Sequence, residues 1–425
     1  MIYLEEQIKQ NNKKVPKKNK KAEPVIKTAR KIEYSEWKNV DKATEVAIYY
    51  GFTPFEAPIS NKDDVLKEKT FKKTEGLGKS TRNHSLPLNY DILESATILR
   101  IYHEKFLNQS LPIMLALNGY VGEGKNKKTN EKKMGLEIIG SSRSVAEALA
   151  ITSTVAILKE YKYEDIVVEI NSLGDKESLS RFNRELISYF RKNINSLPAH
   201  CRQIFKEDAI SLLNCDNKTC QTINEEAPKA LSCLSDFSRE QFREILEYLE
   251  KLEIPYKINN CLVGNRDITA QTVFEIKGKT NATAHQEILA VGTRHDLLAK
   301  KFGYKKEVPV LSVKMNFKNQ IKNKDLVKKI EKPKLHFIQL GLDAKYKALG
   351  LIEFLREHHI FINQSLSRDK MGSQLGMAEK MKIPFVIIMG QKEALENTVM
   401  IRNTKTRSQQ TIFVKDLPEY IKNLE

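Results

Sequence analysis

Leu262-Val-Gly-Asn-Arg-Asp-Ile-Thr-Ala-Gln-Thr-Val-Phe-Glu-Ile276 is the stretch that decides the reading of this 425-residue chain. Its second half is a strand pattern. Thr272, Val273, Phe274 and Ile276 are β-branched or aromatic, and Gly278 closes the run. Its first half places Arg266 and Asp267 just ahead of that strand.

Outward from this strand, more blocks follow in a fixed order. Tyr34 to Tyr50 has helical periodicity, stopped by Gly51, and Phe52 to Ile59 reads as extended. Leu86-Pro-Leu-Asn-Tyr-Asp-Ile-Leu93 comes next, then a lysine-rich stretch leading into Met134-Gly-Leu-Glu-Ile-Ile-Gly140. Ala146 to Lys159 suits a helix and Ile166 to Ile170 a strand. A mostly helical segment fills the interval to Ile254, and Ser238 with Gln241 makes a capping-box pattern there. Phe242, Ile245, Leu246, Leu249 and Leu252 form the apolar stripe of that helix. After the opening stretch come Ala290-Val-Gly-Thr-Arg-His-Asp-Leu-Leu298 and the strand pattern Val308 to Val313. From Leu335 strands and helices alternate, with strands expected at Leu335–Leu340, Ile360–Asn363 and Phe385–Met389.

In this order the blocks resemble the histidyl-tRNA synthetase family of class II aminoacyl-tRNA synthetases. The family reads Leu-Val-Arg-Gly-Leu-Asp-Tyr-Tyr before a Thr-Val-Phe-Glu strand, and here Leu262, Val263, Asp267 and Thr272–Glu275 keep that frame. Helix, Gly51 and strand look like motif 1, and Met134–Gly140 looks like the second strand of motif 2. Gly292, Arg294, Asp296 and Leu298 match the family's Gly-Gly-Arg-Tyr-Asp-x-Leu block. Ser373–Glu379, Gly390–Glu393 and Thr398–Thr406 echo its anticodon-binding domain. The resemblance implies an α+β core, an antiparallel sheet flanked by helices, with a helical insertion and a C-terminal α/β domain. The boundaries expected are a basic tail at 1–33, the core at 34–320 with its insertion at about 176–253, a linker at 321–334 and the last domain at 335–425. It also implies a homodimer through motif 1.

The chemistry inside the frame differs from the family pattern. Gly264 stands at the signature arginine, and Ile268 and Thr269 replace the two tyrosines. No arginine lies between Arg100 and Arg143, where motif 2 needs one, and Asn319 ends the motif 3 segment. In the family three arginines position ATP and stabilise the charge that develops at its α-phosphate. Losing one such group typically costs about 10²–10³ in rate. Asp91, Glu137 and Asp267 are the remnants expected in the ligand pocket. Arg266 and Arg294 are the two positions from which a guanidinium could replace what is missing.

Composition sets the partner class. The formal charge is +17, and Met1 to Ile32 alone, with nine Lys, one Arg and three Glu, contributes +7. Such clustering suits a polyanion. Lys125, Lys127 and Lys128 in the motif 2 hairpin, and Arg402, Lys405 and Arg407 in the last hairpin, are the RNA-binding candidates. Lys73–Ser80 lacks the glycine and strand of a phosphate loop. Five cysteines suit a reducing, cytoplasmic setting, and no apolar run reaches the length of a membrane span. Cys215 and Cys220 would need two more ligands to hold zinc; Cys201 and Cys233 are available in sequence, but no repeated pair exists, so no metal is expected.

Three functions follow. The favoured one is a non-catalytic synthetase-like protein that binds tRNA or other RNA. The second is a working histidine–tRNA ligase with relocated residues, which alone would need ATP and magnesium. The third is a regulatory or accessory subunit of another enzyme. Regulators of that kind within the family lack the anticodon-binding domain, so the C-terminal domain favours RNA.

Overall fold

The structure, a computed structural model, describes residues 40–74, 88, 90–121, 131–265, 268–280, 285–318, 332–364, 366 and 368–424. The basic tail, most of the linker, Lys125, Lys127, Lys128, Arg266 and Asp267 lie outside the described residues.

In the first half of the core, helix α1 (Lys42–Tyr49) leads into β1 (Thr53–Glu56). Helices α2 (Lys62–Thr74) and α3 (Ile92–Ile101), strands β2 (Ile113–Asn118) and β3 (Glu131–Ile139), helix α4 (Val145–Glu160) and strand β4 (Glu164–Gly174) follow. Helices α5 (Lys176–Lys192), α6 (Ala199–Glu207), α7 (Lys218–Glu225) and α8 (Asp236–Lys251) form the insertion. The chain returns through β5 (Tyr256–Ile258), β6 (Gln271–Lys279), β7 (Glu287–Arg294), the short α9 (Leu298–Lys301) and β8 (Val310–Lys318).

The core sheet has eight strands in the order β1-β2-β3-β8-β7-β6-β4-β5. The inner pairs are antiparallel and only the two outermost strands run parallel to their neighbours. One face packs on α4, which is buried almost from end to end. A helix covered on all sides must satisfy its own polar groups. Thr152, Ser153 and Thr154 do so, each hydroxyl donating to the carbonyl four residues back at 2.6–2.8 Å.

Register assigns side chains to faces. Glu137, Ser312 and Thr293 are directly opposed across β3, β8 and β7, so they share one face. Leu136, Ile138, Val313, Ala290 and Phe274 take the alternate positions and pack in the cluster containing α4. Gly292 lies opposite Phe274, and a Cβ there would sit 2.1 Å from the ring. The phenyl ring needs that empty space.

The C-terminal sheet is built from β9 (Leu335–Gln339), β10 (Ile362–Gln364), β11 (Phe385–Met389), β12 (Thr398–Asn403) and β13 (Gln409–Phe413), in the order β10-β9-β11-β12-β13. Its first three strands are parallel, as the alternation predicts, while β12 and β13 add an antiparallel hairpin. Helices α10 (Leu342–Glu357), α11 (Met371–Lys380), α12 (Gln391–Glu396) and α13 (Leu417–Lys422) cover it. The apolar cluster around α4 and α8 continues without a break into Leu349, Leu355 and Ile387 of this domain. Polar bonds reinforce the junction: Tyr50 Oη donates to Glu353 at 2.5 Å, Arg356 donates to Glu160 at 2.7 Å and Tyr346 donates to Glu247.

The strand expected at Ile360–Asn363 is displaced to Ile362–Gln364, and the start of α8 differs from the sequence reading. Helix α8 is capped by Ser235, whose hydroxyl accepts from the Ser238 amide, three residues before the expected cap. Ser238 instead accepts from the Asp175 amide, and Gln241 donates to the Ser142 carbonyl at 2.5 Å. No described helix is long and apolar enough to cross a membrane.

Candidate functional site

The face of the core sheet opposite α4 carries a buried polar network centred on Glu137. Tyr90 donates its hydroxyl to one oxygen of Glu137, and Ser312 donates to the other at 2.5 Å. With Ser312 donating there, its oxygen accepts from His295 Nε2 at 2.7 Å, and Tyr90 stacks on His295 with ring centroids 5.4 Å apart. Every member is almost fully buried. Burial pushes the Glu137 carboxyl up to about 8, against the two hydroxyl bonds that favour its charged form. Burial, with the Arg294 cation next to it, also depresses His295 to about 3, so this imidazole is neutral.

A second carboxylate enters from α3. Glu94 accepts from the Asp91 amide at 2.9 Å in a capping box, and its other oxygen meets Lys314 Nζ at 2.5 Å. Burial outweighs the ammonium and holds Glu94 at about 7. Lys314 Nζ also lies 4.9 Å from the Tyr90 ring centre and 5.2 Å from that of Tyr120. Tyr120 donates to the Met315 carbonyl and packs with Leu88 and Val291. The cleft face is therefore occupied, over its described part, by the chain's own aromatic and aliphatic side chains.

The expected pocket residues separate. Glu137 is at the centre. Asp91 is exposed, and its carboxylate caps α3 by accepting from the Glu94 amide at 2.8 Å. The carboxylate this segment sends inward is Glu94, which the sequence reading missed although Asp91-x-x-Glu94 is a capping-box spacing. Tyr90, His295, Ser312 and Lys314 were missed too. Strand alternation from Glu137 and an antiparallel pairing with Val310–Lys318 are the signals that find Ser312 and Lys314.

Arg294 differs from its expected role. It follows Thr293 on β7, so the pleat turns it to the α4 face, away from Glu137. There it is 1% exposed and its five N–H groups all have acceptors. Glu147 takes two, at 2.6 and 2.7 Å, the Ser141 carbonyl takes one at 2.7 Å, and Asp296 and the Arg143 carbonyl take the others at 3.4 and 3.5 Å. No donor is left for a phosphate.

On the described part of this face the cations are lysines, among them Lys133 and Lys314, and no arginine stands beside Glu137. A triphosphate needs fixed cations, and Lys314 is already paired with Glu94. Asn265 donates to the Tyr90 carbonyl at 3.0 Å, so the segment preceding Arg266 is anchored beside the network.

The hairpin cations lie in and next to the β12–β13 connection of the C-terminal domain. Arg402 is in β12, Lys405 is in the turn, and Arg407 has a φ of 60°. Lys405 and Arg407 are exposed and Arg402 half-buried, and none of the three pairs with a carboxylate among the described residues. In the insertion, Cys201, Cys215 and Cys220 converge, while Cys233 lies apart from them.

Comparison with known proteins agrees with this layout. Residues 336–424 match the anticodon binding domain family. The chain is 24% identical over 405 residues to the histidine–tRNA ligase of Bacillus licheniformis, covering 92% of this chain and 95% of that one. It is 28% identical over 392 residues to the histidine–tRNA ligase of Fervidobacterium nodosum, covering 87% and 90%. The crystal structure of apo S. aureus histidyl-tRNA synthetase aligns with 89% of this chain and 93% of its own, at 21% identity and a TM-score of 0.47. Over most of its length the chain is thus a homologue of the histidine–tRNA ligases, with an anticodon-binding domain at residues 336–424.

Proposed function

We propose that this protein is a non-catalytic relative of the histidine–tRNA ligases that binds tRNA or another RNA, acting in the cytoplasm as a homodimer. The observation that carries the first half is the Glu137 network. Both carboxyl oxygens are bonded to the chain's own hydroxyls, and the described face offers no guanidinium to a transferring phosphoryl group. Electrostatic stabilisation of that group needs preorganised cations, and Arg294 is turned away and saturated. The anticodon-binding domain and the cations Arg402, Lys405 and Arg407, which pair with no carboxylate among the described residues, support the second half. Lys125, Lys127, Lys128 and the tail Met1–Ile32 would extend the same electrostatic surface.

The ligase reading now rests on Arg266 alone, and the anchoring of Asn265 beside Tyr90 is what keeps it open. Histidine-dependent exchange of pyrophosphate into ATP decides between the two. The purified chain is expected to give no exchange above background. Exchange that disappears in Arg266→Ala would overturn the non-catalytic reading.

A further inference from the structure

The helical insertion brings three thiols to one point. Cys201 on α6, Cys215 after the 3-10 turn Ile210–Asn214, and Cys220 on α7 have sulfur atoms within 4.8 Å of one another. Cys201 and Cys215 are the nearest, at 3.4 Å. Their spacing in sequence, thirteen and then four intervening residues, carries no paired motif. The fold creates the cluster.

The frame holding the thiols is built from polar bonds. The Leu212 carbonyl, in the middle of the 3-10 turn, accepts from the Cys215 amide at 3.1 Å and from Asn224 at 2.7 Å, with the Cys220 thiol 3.8 Å away. Asn217 caps α7 and accepts from the Cys220 amide at 3.4 Å. Turn, cap and helix therefore fix Cys215 and Cys220 relative to each other, and α6 presents Cys201 against them. Cys233 and Cys261 serve as internal contrasts, since neither joins the cluster.

We propose that Cys201, Cys215 and Cys220 bind a thiophilic cation, zinc in the first instance, as three thiolates. A tetrahedral zinc with Zn–S bonds of about 2.3 Å separates its sulfurs by about 3.8 Å, so the observed spacing needs only small adjustments. Sulfur-only donors in a compact trio select zinc over the hard cations magnesium and calcium. Binding replaces three S–H protons with one dication and releases those protons to solvent. A water would complete the fourth position. The metal would lock α6, the 3-10 turn and α7 together, a part of the insertion otherwise held by a small satellite core.

Cobalt(II) titration of the reduced, full-length chain is the test. One cobalt per chain is expected, with thiolate-to-cobalt charge-transfer absorption that zinc abolishes. Cys220→Ser is expected to weaken this binding on the order of tenfold or more, whereas Cys233→Ser leaves it unchanged. Should Cys220→Ser fail to fold, thiol alkylation of the natural chain gives a second reading. Zinc must then protect Cys201, Cys215 and Cys220 while Cys261 keeps its rate. Absence of the cobalt band, a band that persists in folded Cys220→Ser, or a Cys201–Cys215 disulfide in protein alkylated at lysis would each overturn the proposal.

Discussion

Arg294 and Glu147 form a bidentate ion pair sealed between the core sheet and α4, with Nε–Oε1 at 2.6 Å and Nη2–Oε2 at 2.7 Å. Both side chains are at most 3% exposed. Breaking a buried pair from one side strands the other charge. Arg294→Ala is therefore expected to lower stability by about 3–5 kcal/mol. Exchanging both partners for apolar residues, Arg294→Met with Glu147→Leu, removes both desolvation penalties and recovers most of the loss. Thermal midpoints of the three proteins check this, and equal loss in the single and double variants would contradict it.

Glu137 sets a pH dependence. Its folded-state carboxyl titrates near 8, above the ordinary value of 4.5. Between those values the folded chain keeps a proton that the unfolded chain has released. Raising the pH through that window therefore favours unfolding. Glu137→Gln removes this contribution. The variant's melting temperature, relative to the natural chain, should rise steadily from pH 5 to pH 8 and level off above. Glu94, held at about 7, acts with the same sign in both proteins. A pH-independent difference between the two would show that Glu137 is not the titrating group.

Much of this architecture was legible in sequence, and the limits have physical causes. Thr272–Ile276 reads as a strand because its side chains are β-branched and aromatic, and β6 contains them. Gly51, with a φ of 92°, ends α1 as its position predicts. What sequence could not supply was the face. Arg294 sits in a block that resembles an active-site segment, yet the residue next to it, Thr293, is the one aligned with Ser312 and Glu137. One position along a pleated strand separates a ligand-facing arginine from a structural one. The thiol trio was hidden for a related reason, because its spacing is set by helix packing and not by a local repeat. The cap of α8 was misplaced because Ser235 and Ser238 offer the same chemistry three residues apart.

Gly292 is expected to tolerate no side chain. An added methyl carbon would meet the Phe274 ring at 2.1 Å, and Phe274 is fully buried. Gly292→Ala should cost about 1–3 kcal/mol or more by overpacking. Combining it with Phe274→Leu should return part of that, because the smaller side chain vacates the space. Additive losses in the double variant would argue against this pairing.

The hairpin cations give a salt-dependence prediction. Alanine at Arg402, Lys405 and Arg407 should weaken RNA binding. It should also flatten the plot of log affinity against log salt by about 0.7–0.9 for each phosphate no longer neutralised. Removing Met1–Ile32 should flatten the same plot further. Filter binding at several salt concentrations measures both, and an unchanged slope would exclude the altered element from the interface.

The shared apolar cluster has a mechanical corollary. Leu349, Leu355 and Ile387 belong to the same cluster as α4 and α8, so the C-terminal domain shares its core with the first domain and is not joined to it by the linker alone. An RNA gripped at the Lys405 turn would therefore pull on a domain whose core is continuous with that of α4 and α8. Excising the arm would bare the greasy flank of α10, and the fragment should aggregate where the intact chain does not.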